Sequence, residues 1–332
     1  MHRGVRASKQ LRVSFSFGVA VGSIGTLLAL YEDDAGRRLP TPHPDARPSL
    51  PHQDTVLVAH PATRFGFPSL SNVKVREGYV LGYDRRLRNA AWVAEYITVD
   101  SLKKSDDVNR LKAAFKADTS TPEAFRVSPG DYLNSGYDRG HLAPARDMMS
   151  SSQESVNESF LMTNISPQVG KGFNRGYWSR FEGFVRHIAS SYGGAYVVTG
   201  PLFLPTRAAD SDTYEVRYPV LGTPGNAIAV PTHFFKVVLV QKPSGEYLAA
   251  GFILPNQSIP DQTNLTDFLR PIEYIESVSG LLFFDQLRHV PPPAGGRPVA
   301  TKQLCNDIAC TLPAAVEYKN AVASKSKGHQ SH

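Results

Sequence analysis

Proline sets the outer limits of any fold this chain can adopt. Pro40, Pro42, Pro44, Pro48, Pro51 and Pro61 punctuate one polar stretch, and Pro291, Pro292, Pro293 and Pro298 open another near the C-terminus. Each proline removes a backbone donor and fixes φ, so neither stretch suits a helix interior or a central strand. Residues 32–61 are therefore assigned as a linker and residues 289–332 as a largely flexible tail. Residues 62–288, between them, are long enough for one large domain with a substantial core. No internal repeats are visible.

The N-terminal 31 residues contain no Asp or Glu. Arg3, Arg6, Lys9 and Arg12 lead into Val13–Leu30, an apolar run diluted by serine and glycine. A basic, serine-containing, acid-free segment has the composition of a mitochondrial presequence, and the apolar length is borderline for a membrane anchor. A secretory signal peptide is the rival. The expectation is a mitochondrial protein, in the intermembrane space or on the inner membrane, with membrane association through residues 13–30. The same residues distort the charge balance. Of the formal net charge of +6, +4 lies in residues 1–12, and only +2 falls on residues 60–312. Bulk charge alone thus gives no evidence of a nucleic-acid surface.

Inside the domain, Gly78–Tyr83, Ala91–Thr98, Ala195–Thr199, Ala227–Val240 and Tyr247–Leu254 are β-branched or aromatic runs bounded by turn residues, which predicts strands. Phe173, Tyr177, Trp178, Phe181, Phe184, Val185 and Ile188 follow helical spacing, predicting an amphipathic helix from about Phe173 to Ser191. A second helix is expected from Thr266 to Val278. This order of elements indicates a mixed α+β domain.

The densest polar segment runs from Tyr137 to Glu182. Phosphodiester hydrolysis requires a base to activate water, a cation to stabilise developing charge, and donors to hold the phosphate. His141 suits the base because its ordinary pKa lies near neutrality. Arg139, two residues earlier in an alternating strand, projects to the same face, where its guanidinium would disfavour imidazolium and could reach a phosphate oxygen. Asn174 and Glu182, eight residues apart on the expected helix, fall about 80° apart around its axis. An amide oxygen and a carboxylate make a poor calcium cage but suit magnesium, which keeps several waters. Taken singly, these residues have plainer roles: a satisfied structural histidine, a helix-capping asparagine and a solvated helix charge.

Asp138-Arg139-Gly140-His141, then Asn164-Ile165-Ser166-Pro167-Gln168, then Phe173-Asn174-Arg175-Gly176-Tyr177-Trp178 with Glu182 together resemble the DNA/RNA non-specific endonuclease family, in its endonuclease G and fungal mitochondrial branch. The likeness spans about Phe65 to Phe284 and includes Gly78–Asp84, Val197–Leu202 and Ala229–Lys236. It implies a ββα-metal (His-Me) finger within a mixed α+β sandwich on a central antiparallel sheet. It also implies a magnesium-dependent, sugar-non-specific endonuclease that acts on double- and single-stranded DNA and on RNA, leaving 5′-phosphate and 3′-hydroxyl ends, with Mn²⁺ as a substitute ion. By the same likeness His141 matches the general base, Asn174 the single protein ligand of a hydrated ion, and Glu182 the carboxylate that orders its water. Arg139 and Asn164 match residues that steady the phosphate and the site, and Arg110 more loosely matches a phosphate-contacting arginine. Homodimerisation is carried over in the same way. Asp138, where serine would point to the exonuclease-leaning sister, favours the endonuclease branch. Gly82 departs from the cysteine that animal endonuclease G proteins tend to carry.

Cys305 and Cys310 lack enough neighbouring ligands for zinc and are expected as a local disulfide or as two free thiols. His233 reads as a buried histidine and His187 as a rim or solvent residue. No phosphate-loop pattern is present, so an ATPase has no support. The rival functions are an exonuclease or phosphodiesterase on the same site and a non-catalytic nucleic-acid-binding mitochondrial protein. The latter would be expected to have lost His141, Asn174 or Glu182.

Overall fold

The computed structural model describes residues 60–103, 105–209, 211–289 and 301–314. The expectations for the targeting segment 1–31, the anchor 13–30 and nearly all of the linker therefore lie outside the described residues. Among the described residues no helix is long and apolar enough to cross a membrane.

The first half of the domain contributes β1 (Val73–Val75), β2 (Tyr79–Asp84), β3 (Asn89–Thr98), β4 (Tyr137–His141), α1 (Gln153–Ser159), β5 (Ile165–Val169) and α2 (Ser179–Tyr192). The second half contributes β6 (Gly194–Leu202) and four two-residue strands, β7 (Thr206–Arg207), β8 (Tyr214–Glu215), β9 (Val220–Leu221) and β10 (Ile228–Ala229). It ends with β11 (His233–Gln241), β12 (Tyr247–Pro255), β13 (Leu269–Arg270), α3 (Ile272–Ser279) and β14 (Lys302–Gln303). The main sheet runs β1-β2-β3-β6-β11-β12-β13, with β14 also on β12. Every pairing in it is antiparallel except the parallel β12–β14 pair. A mixed α+β domain on a central, mostly antiparallel sheet is what the sequence led us to expect.

The long apolar runs of β6, β11 and β12 follow from burial on both faces. Alternate residues such as Val197, Val238 and Phe252 pack with Phe181, Val185 and Ile188 of α2. Their neighbours Val198, Val237 and Ile253 pack on the other face with Phe65, Ile275 and Phe283. A strand covered on both sides has no polar face to show, so its sequence is apolar nearly throughout.

Three expected elements are cut short. The run Ala227–Val240 is divided into β10 and β11 around Pro231, which cannot donate to a ladder. The helix expected from Thr266 starts only at Ile272, directly after Pro271. The helix expected from Phe173 starts at Ser179, because Gly170–Trp178 is a wide, irregular turn in which Gly172 has φ 80° and Gly176 has ψ −105°. The C-terminal boundary also differs. Residues 301–314, placed by composition in the tail, supply β14, and Leu304 and Cys310 are buried in the core. Cys305 and Cys310 form a disulfide. At Gly82, any side chain would collide with the indole of Trp92, so the ring occupies the space a cysteine would need.

Candidate active site

β4 and β5 leave the main sheet and pair with each other, with His141 opposite Ile165. Two residues apart on β4, Arg139 and His141 open into one cleft of about 1000 Å³, which Arg110, Asn174 and Glu182 also line. Five of the six residues expected at the site are thus brought together.

Asn164 is the sixth, and it is not in the cleft. Its side chain is fully buried. The amide oxygen accepts from the backbone N–H of Ala143 at 2.9 Å, and the amide nitrogen donates to the carbonyls of Ala143 and Ser159, also at 2.9 Å. With its bonding capacity engaged, Asn164 holds the chain that follows His141 and cannot touch a phosphate.

His141 is held by aromatic packing. Its ring lies edge-on to Phe160 at 4.8 Å and tilted to Phe115 at 5.5 Å. Among the described residues its Nε2 is covered and has no hydrogen-bond partner, and the residue lines the cleft. Burial, and secondarily the charge of Arg110, lower the imidazole pKa to about 3. The ring is therefore uncharged at neutral pH, with a lone pair open to a proton. The expectation that Arg139 supplies this charge is corrected: Arg110 does, while the Arg139 guanidinium lies over Phe115 at 4.6 Å.

Asn174 sits in the Gly170–Trp178 turn, so the helical-wheel argument that joined it to Glu182 does not apply. What orients it is Asp138. Asn174 Nδ2 donates to Asp138 Oδ2 at 2.8 Å, and Asp138 Oδ1 accepts from Arg175 Nη1 at 2.8 Å. A carboxylate accepts only, so it fixes which way the amide is turned and leaves the Asn174 oxygen unengaged. Gly170 permits the approach: a Cβ there would lie 2.5 Å from Arg175 Nη2 and 2.8 Å from Asp138 Oδ1. Glu182 stands in the first turn of α2, where burial raises its pKa to about 7 against the opposing pull of Arg186, Lys236 and Arg110. An amide oxygen with no partner among the described residues and a desolvated carboxylate lining the same cleft form a donor set that fits a small, largely hydrated divalent cation. Among the described residues no three His, Cys, Asp or Glu side chains cluster to enclose an ion.

The charged side chains of the lining are mostly cationic. Arg146, Lys171, Arg175, Arg180 and Arg186 join Arg110 and Arg139, against the carboxylates of Glu182 and Asp261. Arg186 pairs with Asp147 at 3.0 Å, and Arg180 with Asp261 at 3.1 Å.

A half-buried neutral histidine, an oriented amide oxygen and a carboxylate in a basic cleft match what the sequence motif implies, and comparison with known proteins decides the family. The model of the DNA/RNA non-specific endonucleases matches residues 59–289. This chain belongs to that family. It is 48% identical over 221 residues to a nuclease of Syncephalastrum racemosum, covering 66% of this chain and 69% of the relative. It is 41% identical over 268 residues to the mitochondrial nuclease 1 of Schizosaccharomyces pombe, covering 80% of this chain and 79% of that protein. Human mitochondrial endonuclease G is 41% identical over 220 residues, 66% of this chain and 72% of its own. The crystal structure of endonuclease G bound to the inhibitor EndoGI superposes with a TM-score of 0.66 at 42% identity, covering 69% of this chain and 91% of that one. The protein is accordingly a nuclease, a phosphodiester hydrolase with the ββα-metal fold of endonuclease G.

Within this non-specific endonuclease, sequence reasoning missed Asp138, Phe115 and Phe160. Strand alternation sets Asp138 on the face opposite Arg139 and His141, so only the fold of the Gly170–Trp178 turn brings it to Asn174. The two phenylalanines carried no signal beyond core-like apolarity.

Proposed function

We propose that this endonuclease hydrolyses the phosphodiesters of DNA and RNA with His141 as general base and a magnesium ion held through Asn174. The observation that carries the reading is Asn174, its amide oxygen left open by Asp138, lining the same cleft as the uncharged His141. His141 takes a proton from water as that water attacks phosphorus. Arg110 and Arg139 hold the phosphate oxygens, and Glu182 orders water beside Asn174. When bound, the ion supplies charge stabilisation for the phosphate and the departing 3′-oxygen. Departure of that oxygen leaves 5′-phosphate and 3′-hydroxyl ends. Because these contacts address the phosphodiester and not the base, sequence specificity is low, and activity on both sugars and on double- and single-stranded DNA belongs to the same reading. Asn164 acts here by holding the backbone after His141. The names of the relatives support residence in the mitochondrion. Homodimerisation remains part of the proposal.

The test is nicking of supercoiled plasmid and of a circular single strand by the full chain, with magnesium, manganese or EDTA, beside His141→Ala and Asn174→Ala. Cleavage of both circles that needs the metal and falls by about a thousandfold or more in His141→Ala is expected. Cleavage indifferent to His141 sinks the mechanism, and failure to open the circular strand replaces the endonuclease with an exonuclease.

A further inference from the structure

Beside the cleft stands a side chain with no structural work to do. Leu111 is 93% exposed, the highest value among the large hydrophobic residues described. A single exposed leucine is ordinary on a protein surface. This one is held rigidly in a single 3₁₀ turn, Arg110–Lys112. Asn109 Oδ1 accepts from the Leu111 N–H at 2.8 Å, and the Asn109 N–H donates to Gln153 Oε1 at 2.9 Å. The turn closes with Ala113 N–H donating to the carbonyl of Arg110 at 3.1 Å. Buried Val108 before it and Phe115 after it, packed on the core, fix both ends.

Its position relative to the chemistry is equally defined. Arg110, the preceding residue, lines the cleft and lies over Phe160 at 5.9 Å, and Phe160 meets the His141 ring at 4.8 Å. Lys112 follows on the other side. An exposed apolar side chain between two cations in sequence, the first of which lines a basic cleft, has the chemistry of a wedge for a stacked, polyanionic ligand: the cations take phosphates and the leucine takes the space between bases.

We propose that Leu111 is a wedge that enters the base stack of duplex nucleic acid next to the phosphate held at His141. The proposal rests on the reading of this cleft as the nuclease site. Partial unstacking bends the duplex toward the basic lining and exposes the backbone at the attacked phosphate. Unstacking is easiest at pyrimidine–purine steps, so an enzyme that reads no base edge still cuts duplex DNA preferentially where it deforms. A single strand has no stack to open, and there the wedge contributes little.

The experiment compares the full chain with Leu111→Ala, Leu111→Phe and, as a control, Leu133→Ala, an exposed leucine whose sequence neighbours, unlike Arg110, do not line the cleft. The readout is kcat/KM on a duplex divided by kcat/KM on the same sequence as a single strand. Leu111→Ala is expected to lower that ratio about tenfold, Leu111→Phe to restore it, and Leu133→Ala to leave it alone. In a His141→Ala background, 2-aminopurine at a TA step should brighten on binding when Leu111 is present and stay dark with Leu111→Ala. A ratio and a fluorescence unchanged by Leu111→Ala overturn the wedge while leaving the nuclease intact. Equal loss on both substrates also overturns it, since the turn would then serve phosphate binding alone. A full chain that cuts neither substrate removes the nuclease reading and the wedge together.

Discussion

At the scale of single residues, the cleft holds two groups displaced in opposite directions from their ordinary pKa, and both displacements weigh on stability. Glu182, raised to about 7, holds a proton in the folded state that the unfolded chain loses near 4.5. Its contribution is complete below the unfolded value and disappears as pH rises through 7. His141 works the other way: with its folded pKa lowered to about 3, it disfavours the native state as pH falls below 6.5 and the unfolded chain takes up a proton. Metal-free protein is therefore pressed from both sides of neutrality. Glu182→Gln should raise the stability of metal-free protein at pH 8 by roughly 1–3 kcal/mol, with the gain shrinking toward pH 5. Chemical denaturation at the two pH values checks this. A gain that is the same at both would mean that the carboxylate is not held against its charge.

At the scale of elements, two segments outside the long strands and helices bear on the site. The Gly170–Trp178 turn brings Asn174 to Asp138, and it depends on Gly172, whose φ of 80° favours glycine and whose missing Cβ admits Ser258. The second segment, residues 301–314, lies beyond the stretch that the family model matches. It is tied on by β14 and by Asp307, which accepts from Lys242 and from Tyr192 at 2.5 and 2.7 Å, and the Cys305–Cys310 disulfide closes a loop within it. It also reaches the cleft: Arg180 Nε donates to the carbonyl of Pro313 at 2.9 Å. Replacing both cysteines with serine should lower stability by about 2 kcal/mol, the loop-entropy value for so short a closure. Reductant should bring the wild-type melting temperature down to that of the variant. No change on reduction would show that the strand and core contacts hold the segment unaided.

At the scale of the molecule, charge is the property the fold rearranges most. Only +2 falls on residues 60–312, yet seven cationic and two anionic side chains line the cleft. Behind α2, Lys236 and Glu95 are buried on the central sheet, with Lys236 Nζ donating to Thr199 Oγ1 at 2.6 Å and lying over Trp178 at 5.1 Å. Binding of duplex DNA by His141→Ala protein should weaken steeply with salt. Removing one exposed lining cation, in Lys171→Ala, should reduce the slope of log K against log salt by about 1 without regard to sequence. A slope unaltered by Lys171→Ala would take that residue, and its side of the cleft, off the phosphate path.

What the sequence by itself determined is whatever depends on near neighbours. Alternation put Arg139 and His141 on one face, apolar runs marked the sheet's central strands, and the Asp138–His141 block with Asn174 and Glu182 pointed to the family. Only the tertiary structure decided the pairings between distant residues: Asp138 with Asn174, Arg110 acting on His141 in place of Arg139, Asn164 beneath the site and not in it, and residues 301–314 on the core. Composition placed that last segment in the tail because a leucine and two cysteines look alike in a loop and in a core. The difference is physical. Periodicity reports which face of an element a side chain occupies, but the direction of an amide, the burial of an imidazole and the gathering of cations depend on which surfaces the folded chain brings within a few ångströms of one another.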